Sequence, residues 1–192
     1  MPRPVRVPRV GRAPLVSLAL ACLGSLGCAE GEASPVEEQV TLTELDLADP
    51  NAWRAMEASE DPFPDRPATV ECLPTAFGVD AGAFGVYTGG CNYITATQPL
   101  RRALVAGDTI VVEAGYGTLV STSPGEGHLS IALPGLTLLE LRPAIPGPPQ
   151  FFVKEIPVTQ AIPAGTPLVF HVHNHGPNSW RLLRLQVVEA AK

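Results

Sequence analysis

Residues 167–188, PLVFHVHNHGPNSWRLLRLQVV, decide the fold class. Alternate residues of a strand point to opposite faces, so a half-buried strand reads with a period of two. Leu168, Phe170 and Val172 take one side of the first half, and His171, His173 and His175 take the other. In the second half Leu183 and Leu185 form one face, while Leu182, Arg184 and Gln186 form the other. The stretch from His175 to Asn178 contains Gly and Pro, so the two halves are predicted to pair as a hairpin. With Asn174 facing Ser179, Phe170 faces Leu183 and Leu168 faces Leu185. His173 then lies opposite Trp180, and His171 opposite Leu182. A slip of one residue sets Phe170 against Arg184 and buries a charge, the penalty that fixes registers.

The same rhythm extends towards the N-terminus. Short apolar or alternating runs are separated by Gly, Pro, Asn and Asp every 8–12 residues or so, an all-β texture. Strands are predicted near residues 68–73, 84–88, 92–98, 108–114, 127–133, 136–142, 151–158, 167–174 and 180–188. No helix-period segment interrupts them. This count predicts an all-β, two-sheet antiparallel sandwich, a jelly roll before an immunoglobulin-type arrangement, over residues 67–192.

The first 66 residues differ. Arg3, Arg6, Arg9 and Arg12 precede any acid, and Leu15–Gly27 is a short apolar run ending at Ser25-Leu26-Gly27-Cys28. Such a run is too short to span a bilayer but fits the apolar region of a signal peptide. It resembles a bacterial lipoprotein signal, with residues 1–27 removed and Cys28 lipidated. Ser25 departs from the usual pattern, which has Leu three residues before the cysteine. An ordinary cleaved signal, giving a secreted or periplasmic protein, and an uncleaved anchor are the alternatives. In the lipoproteins it resembles, Ala29 after the cysteine goes with the outer membrane, so the resemblance implies an acyl (palmitate) anchor there. Losing four arginines moves the net charge from -6 to -10. That charge repels nucleic acid and anionic lipid head groups.

Eleven acids lie between Glu30 and Asp65. Residues 28–66 therefore read as a flexible acidic tether. Within it, Asp49-Pro50 resembles a helix start, predicting a short helix over residues 50–58 with Trp53 and Met56 on one face.

Cys72 and Cys91, nineteen residues apart, are the cysteines of the folded part, and in an oxidising compartment they are expected to be bonded. The histidines carry the chemical interest. His171 and His173 at i and i+2 suit one Zn²⁺ or Cu²⁺ ion, with His175, His128 or Glu126 as further ligands. The same pattern also describes a merely solvated outer face. Trp180, Asn178 and Tyr116 are residue types that stack on sugars or hydrogen-bond their hydroxyls, a second use for that region.

Residues 165–180 resemble the last hairpin of galactose-binding-like jelly-roll domains. With Cys91-Asn92-Tyr93 opening an early strand, they also resemble domains of uncharacterised lipoproteins of myxobacterial type. The resemblance implies a fold and no binding residues. No nucleophile elbow, phosphate-cradling glycine loop or His-Glu-x-x-His occurs. The expectation is a non-enzymatic envelope protein that binds a ligand or partner, or is structural. A metal-binding domain and a carbohydrate-binding module, with a glycan or envelope protein as partner, are the alternatives.

Overall fold

The computed structural model describes Thr43 and residues 45–190. The signal segment, Cys28, and residues 29–42 and 44 of the acidic stretch lie outside the described residues.

The strands are β1 (Arg54–Ala55), β2 (Phe77–Asp80), β3 (Ala83–Tyr87), β4 (Tyr93–Pro99), β5 (Thr109–Tyr116) and β6 (Gly125–Glu126). They continue with β7 (His128–Leu133), β8 (Leu136–Leu141), β9 (Ala144–Ile145), β10 (Gln150–Pro157), β11 (Pro167–His173) and β12 (Ser179–Val188). They form two five-stranded antiparallel sheets, ordered β1-β4-β11-β7-β8 and β10-β5-β12-β3-β2, with β6 and β9 as a separate pair. Setting aside the edge strands β1 and β2, the eight principal strands interleave between the sheets as in a jelly roll. The inner faces meet in one apolar core that includes Phe84, Ile110, Val112, Ile131, Leu138, Phe170 and Trp180. Cys72 and Cys91 are disulfide-bonded.

The expected hairpin is not formed. β11 is central in the first sheet, between β4 and β7, and β12 is central in the second, between β5 and β3. Leu168, Phe170 and Val172 do face the core, but β12 lies in the opposite sheet rather than beside them. Apolar matching on β11 does not separate these arrangements, because either one buries Leu168, Phe170 and Val172. The register reading of β12 fails for a second reason. A bulge between Leu182 and Arg184 shifts the alternation, so Leu182, Leu185 and Val187 are buried while Leu183 points out.

The connection between β11 and β12 is held by polar side chains. Val120 N donates to Asn178 Oδ1 (2.6 Å), and Asn178 Nδ2 donates to Val120 O (3.2 Å). Asn178 Nδ2 also donates to Asn174 Oδ1 (2.8 Å), and Thr88 N donates to Asn178 O (2.8 Å). Gly176 turns the chain at φ +112°, and a Cβ there would sit 2.6 Å from Val120 O.

Three further expectations are corrected. Residues 68–73 form no strand; Cys72 makes only an isolated bridge with Cys91, and the pairing segment is β2, whose Gly78 and Asp80 disguise it. No α-helix occurs among the described residues, so the helix over 50–58 is absent. Asp49 does cap a turn, its Oδ1 accepting from Asn51 N (2.8 Å). The chain then turns inward at Trp53 and pairs Arg54 and Ala55 with Thr97 and Ala96. Burying the Trp53 indole in the core outweighs what two turns of isolated helix, marginal in water, could offer. Finally, the described part of the tether is not free. Leu47 and Trp53 are core residues, Leu47 N donates to Leu185 O (2.9 Å), and Met56 N donates to Thr95 O (2.8 Å).

Candidate functional site

The outer face of the first sheet carries the histidines. Register places Tyr93, His173 and His128 side by side on β4, β11 and β7. The next outward row is Thr95, His171, Ser130 and Glu140. Residues 61–66 lie across these rows. Phe63 stacks on the His171 ring (3.9 Å between centroids, 14° between planes) and meets His128 edge-on at 5.6 Å. His171 is therefore 0% exposed on what the sequence reads as a wet face.

Asp65 joins the histidines. Its Oδ2 is 3.0 Å from His128 Nδ1 and 3.1 Å from His173 Nδ1, and its Oδ1 is 3.7 Å from His171 Nε2. Burial pushes the Asp65 carboxyl up, but the hydrogen bonds from His128 and His173 outweigh it and hold the group at about 2. Burial, with His128 nearby, pulls His171 down to about 4, so its ring is neutral at physiological pH.

The network fixes the His171 tautomer. The Thr95 hydroxyl donates to Asp61 Oδ1 (2.9 Å) and has one proton only, so at His171 Nδ1 (2.9 Å) it accepts. His171 thus carries its proton on Nδ1 and turns a bare Nε2 lone pair towards Asp65. Neither His171 Nε2 nor Asp65 Oδ1 has a hydrogen-bond partner among the described residues. Asp61 also accepts from the Tyr93 hydroxyl (2.6 Å) and from Arg66 Nη1 (2.9 Å). Burial raises its carboxyl, and these bonds pull it below its usual value.

Of the sequence-predicted ligands, His171, His173 and His128 come together. His175 is exposed at the end of β11, its ring 5.3 Å from that of His173 but outside the Asp65 cluster. Glu126 is also exposed and lies 3.7 Å from Arg142 rather than among the histidines. Asp65 and Phe63 are the residues the sequence reading missed. Their only local signal is a short Pro-rich, acidic stretch, which reads equally well as a spacer.

The residues expected to bind sugars are placed differently. Trp180 is in the core, 5.0 Å from the half-tilted ring of Tyr116, and Tyr116 is buried as well. Asn178 is consumed by the crossover described above. These three form no open binding surface, because β12 turns Trp180 inward and places its neighbours outward.

The outer face of the second sheet holds a different arrangement. Register sets Gly78, Gly85, Arg181, Gly115 and Phe151 in one row across β2, β3, β12, β5 and β10. Glycines on both sides of Arg181 leave hollows lined by Tyr87 and Ser179 on one flank and by Gln150, Phe151 and Leu183 on the other. Gly115 is required there, since a Cβ would lie 2.5 Å from Gln150 O. Arg181 pairs with Asp80. Tyr87 and Phe151 are 50% and 55% exposed, and they are the aromatic members of the exposed apolar set.

No protein-family model matches the chain, and no curated protein matches it. It is similar to several solved structures. A structure described as "CBM4 structure and function" is 14% identical, covers 58% of this chain and 87% of its own, and has a TM-score of 0.37. TmCBM61 in complex with beta-1,4-galactotriose is 9% identical, with coverage of 77% and 99% and a TM-score of 0.40. A family 16 carbohydrate-binding module is 12% identical, with coverage of 66% and 89% and a TM-score of 0.37. At this partial overlap, the jelly-roll assignment rests on the strand order itself.

Proposed function

We propose that this chain is an exported, lipid-anchored, non-enzymatic domain that binds glycan on the outer face of its second sheet. The observation that carries this reading is the glycine-flanked row centred on Arg181, with Tyr87 and Phe151 standing at its two sides. Sugar rings present apolar faces to aromatic side chains and hydroxyls to charged ones, and small residues let them approach the backbone. From β3 to β10 is three strand spacings, about 14 Å. A short oligosaccharide fits along such a row, with Arg181, Asp80 and Ser179 as hydroxyl partners. Export is supported by the arginine-rich start, the short apolar run before Cys28 and the Cys72–Cys91 bond, which persists in oxidising compartments.

A glycan array tests the binding reading, with Tyr87→Ala/Phe151→Ala and Arg181→Met as controls. All three positions are exposed enough to leave the core intact. Binding to a defined glycan class, lost in both variants, is expected; no binding above background, or binding indifferent to them, refutes it. Mass spectrometry of the mature N-terminus tests the anchor, and an unmodified N-terminus at any residue other than 28 refutes it.

A further inference from the structure

We propose that Asp65, His128 and His171 form a site for one divalent transition-metal ion, Zn²⁺ by ligand chemistry, that fastens residues 61–66 onto the first sheet. The argument is independent of the glycan reading and concerns the opposite face.

One ligand atom from each of these residues lies within 4.8 Å of the others. Around a tetrahedral ion with bonds of about 2.0–2.2 Å, neighbouring ligand atoms are about 3.4 Å apart. The 3.7 Å between His171 Nε2 and Asp65 Oδ1 is already close to that separation. These two atoms also supply the second line of evidence. Both are buried, both present lone pairs and neither has a partner, which is a repulsive arrangement unless a positive centre sits between them.

The surroundings complete the ligands. Thr95 and Asp61 hold His171 in the tautomer that frees Nε2. His173 Nδ1–H donates to Asp65 Oδ2, leaving Oδ1 to the ion. His128 Nε2 accepts from Arg142 Nη2 (3.2 Å), so His128 offers Nδ1 to an ion once that contact yields and its proton moves to Nε2, where Glu140 Oε1, 3.4 Å away, accepts it. Carboxylates and carbonyls orient metal-bound histidines in this way. Two neutral imidazoles and one carboxylate suit Zn²⁺ and its first-row neighbours rather than Mg²⁺ or Ca²⁺. Phe63 stacks on His171 and meets His128 edge-on, so residues 61–66 lie over the site and an ion there acts as a staple. Asp65 comes from the N-terminal segment and both histidines from the sheet, which makes the ion a bridge between them.

The test uses chelator-stripped protein, dialysed against Zn²⁺ and analysed for bound metal, alongside Asp65→Asn and His128→Gln. Asp65 and His128 lie on the outer face of the first sheet, apart from the apolar core between the sheets, and circular dichroism verifies the fold of the variants. Co²⁺ provides a spectroscopic readout through its tetrahedral d–d bands. About one ion per chain is expected in the wild type, with at least a ~100-fold weaker affinity in each variant and a Zn²⁺-dependent rise in melting temperature that the variants lack. A folded wild type that holds well under one ion per chain overturns the proposal. So does stoichiometric binding that neither substitution weakens.

Discussion

Trp53→Ala separates a docked N-terminal segment from a passive tether. The indole packs against Phe84 at 5.0 Å and against Phe170 at 5.9 Å. A buried Trp removes about 150–250 Å² from water, worth about 4–6 kcal/mol at ~25 cal/mol/Å². Trp53 Nε1 has no hydrogen-bond partner among the described residues, and an unsatisfied buried N–H costs about 1–3 kcal/mol, which the truncation recovers. The expected loss is therefore about 3 kcal/mol, at the low edge of the range for Trp→Ala in cores. A substitution in a solvated spacer changes stability by ~0.5 kcal/mol or less. Urea unfolding followed by far-ultraviolet circular dichroism distinguishes the two, because the substitution alters fluorescence directly. A loss below ~1 kcal/mol with an unchanged slope refutes the claim that residues 45–66 belong to the fold.

Metal-free protein should lose stability as pH falls through the window between the unfolded and folded values of His171. The unfolded ring takes a proton below its ordinary 6.5 while the folded ring resists until about 4, so the loss develops from ~6.5 down to ~4 and reaches roughly 3 kcal/mol. His171→Gln should flatten that window, and an equally steep wild-type and variant profile would count against the assignment. Asp65 acts lower: its stabilisation is complete above its ordinary value of 3.8 and disappears only as pH approaches about 2. Reducing the Cys72–Cys91 bond, or replacing both residues by Ser, should cost about 3 kcal/mol for a separation of 19 residues, read as a shifted urea midpoint. Asn178→Ala should cost about 1–3 kcal/mol by orphaning the Val120 amide and carbonyl, and hydrogen exchange at Val120 should accelerate; unchanged exchange would show that the crossover is held by something else.

The alternation in PLVFHVH and the punctuation by Gly, Pro and Asn determined the all-β class, the positions of the eight principal strands and the inward face of β11. They also placed His171, His173 and His128 among the residues to watch. These are local properties, since strand period and turn chemistry are written within a few residues of each other. Which strands pair was decided only by the tertiary structure. Leu168 and Phe170 bury equally well beside β12 or across from it, and the bulge at Leu182 is invisible to a period-two count. The roles of Trp180 and Asp65 were decided there too. An aromatic near a turn is read as a surface residue until the sandwich closes over it, and an acid in a Pro-rich run is read as spacer until the sheet supplies its histidines. Partners 63, 106 and 108 residues distant in sequence leave no local pattern, so the site forms only when folding brings residues 61–66 across β7 and β11.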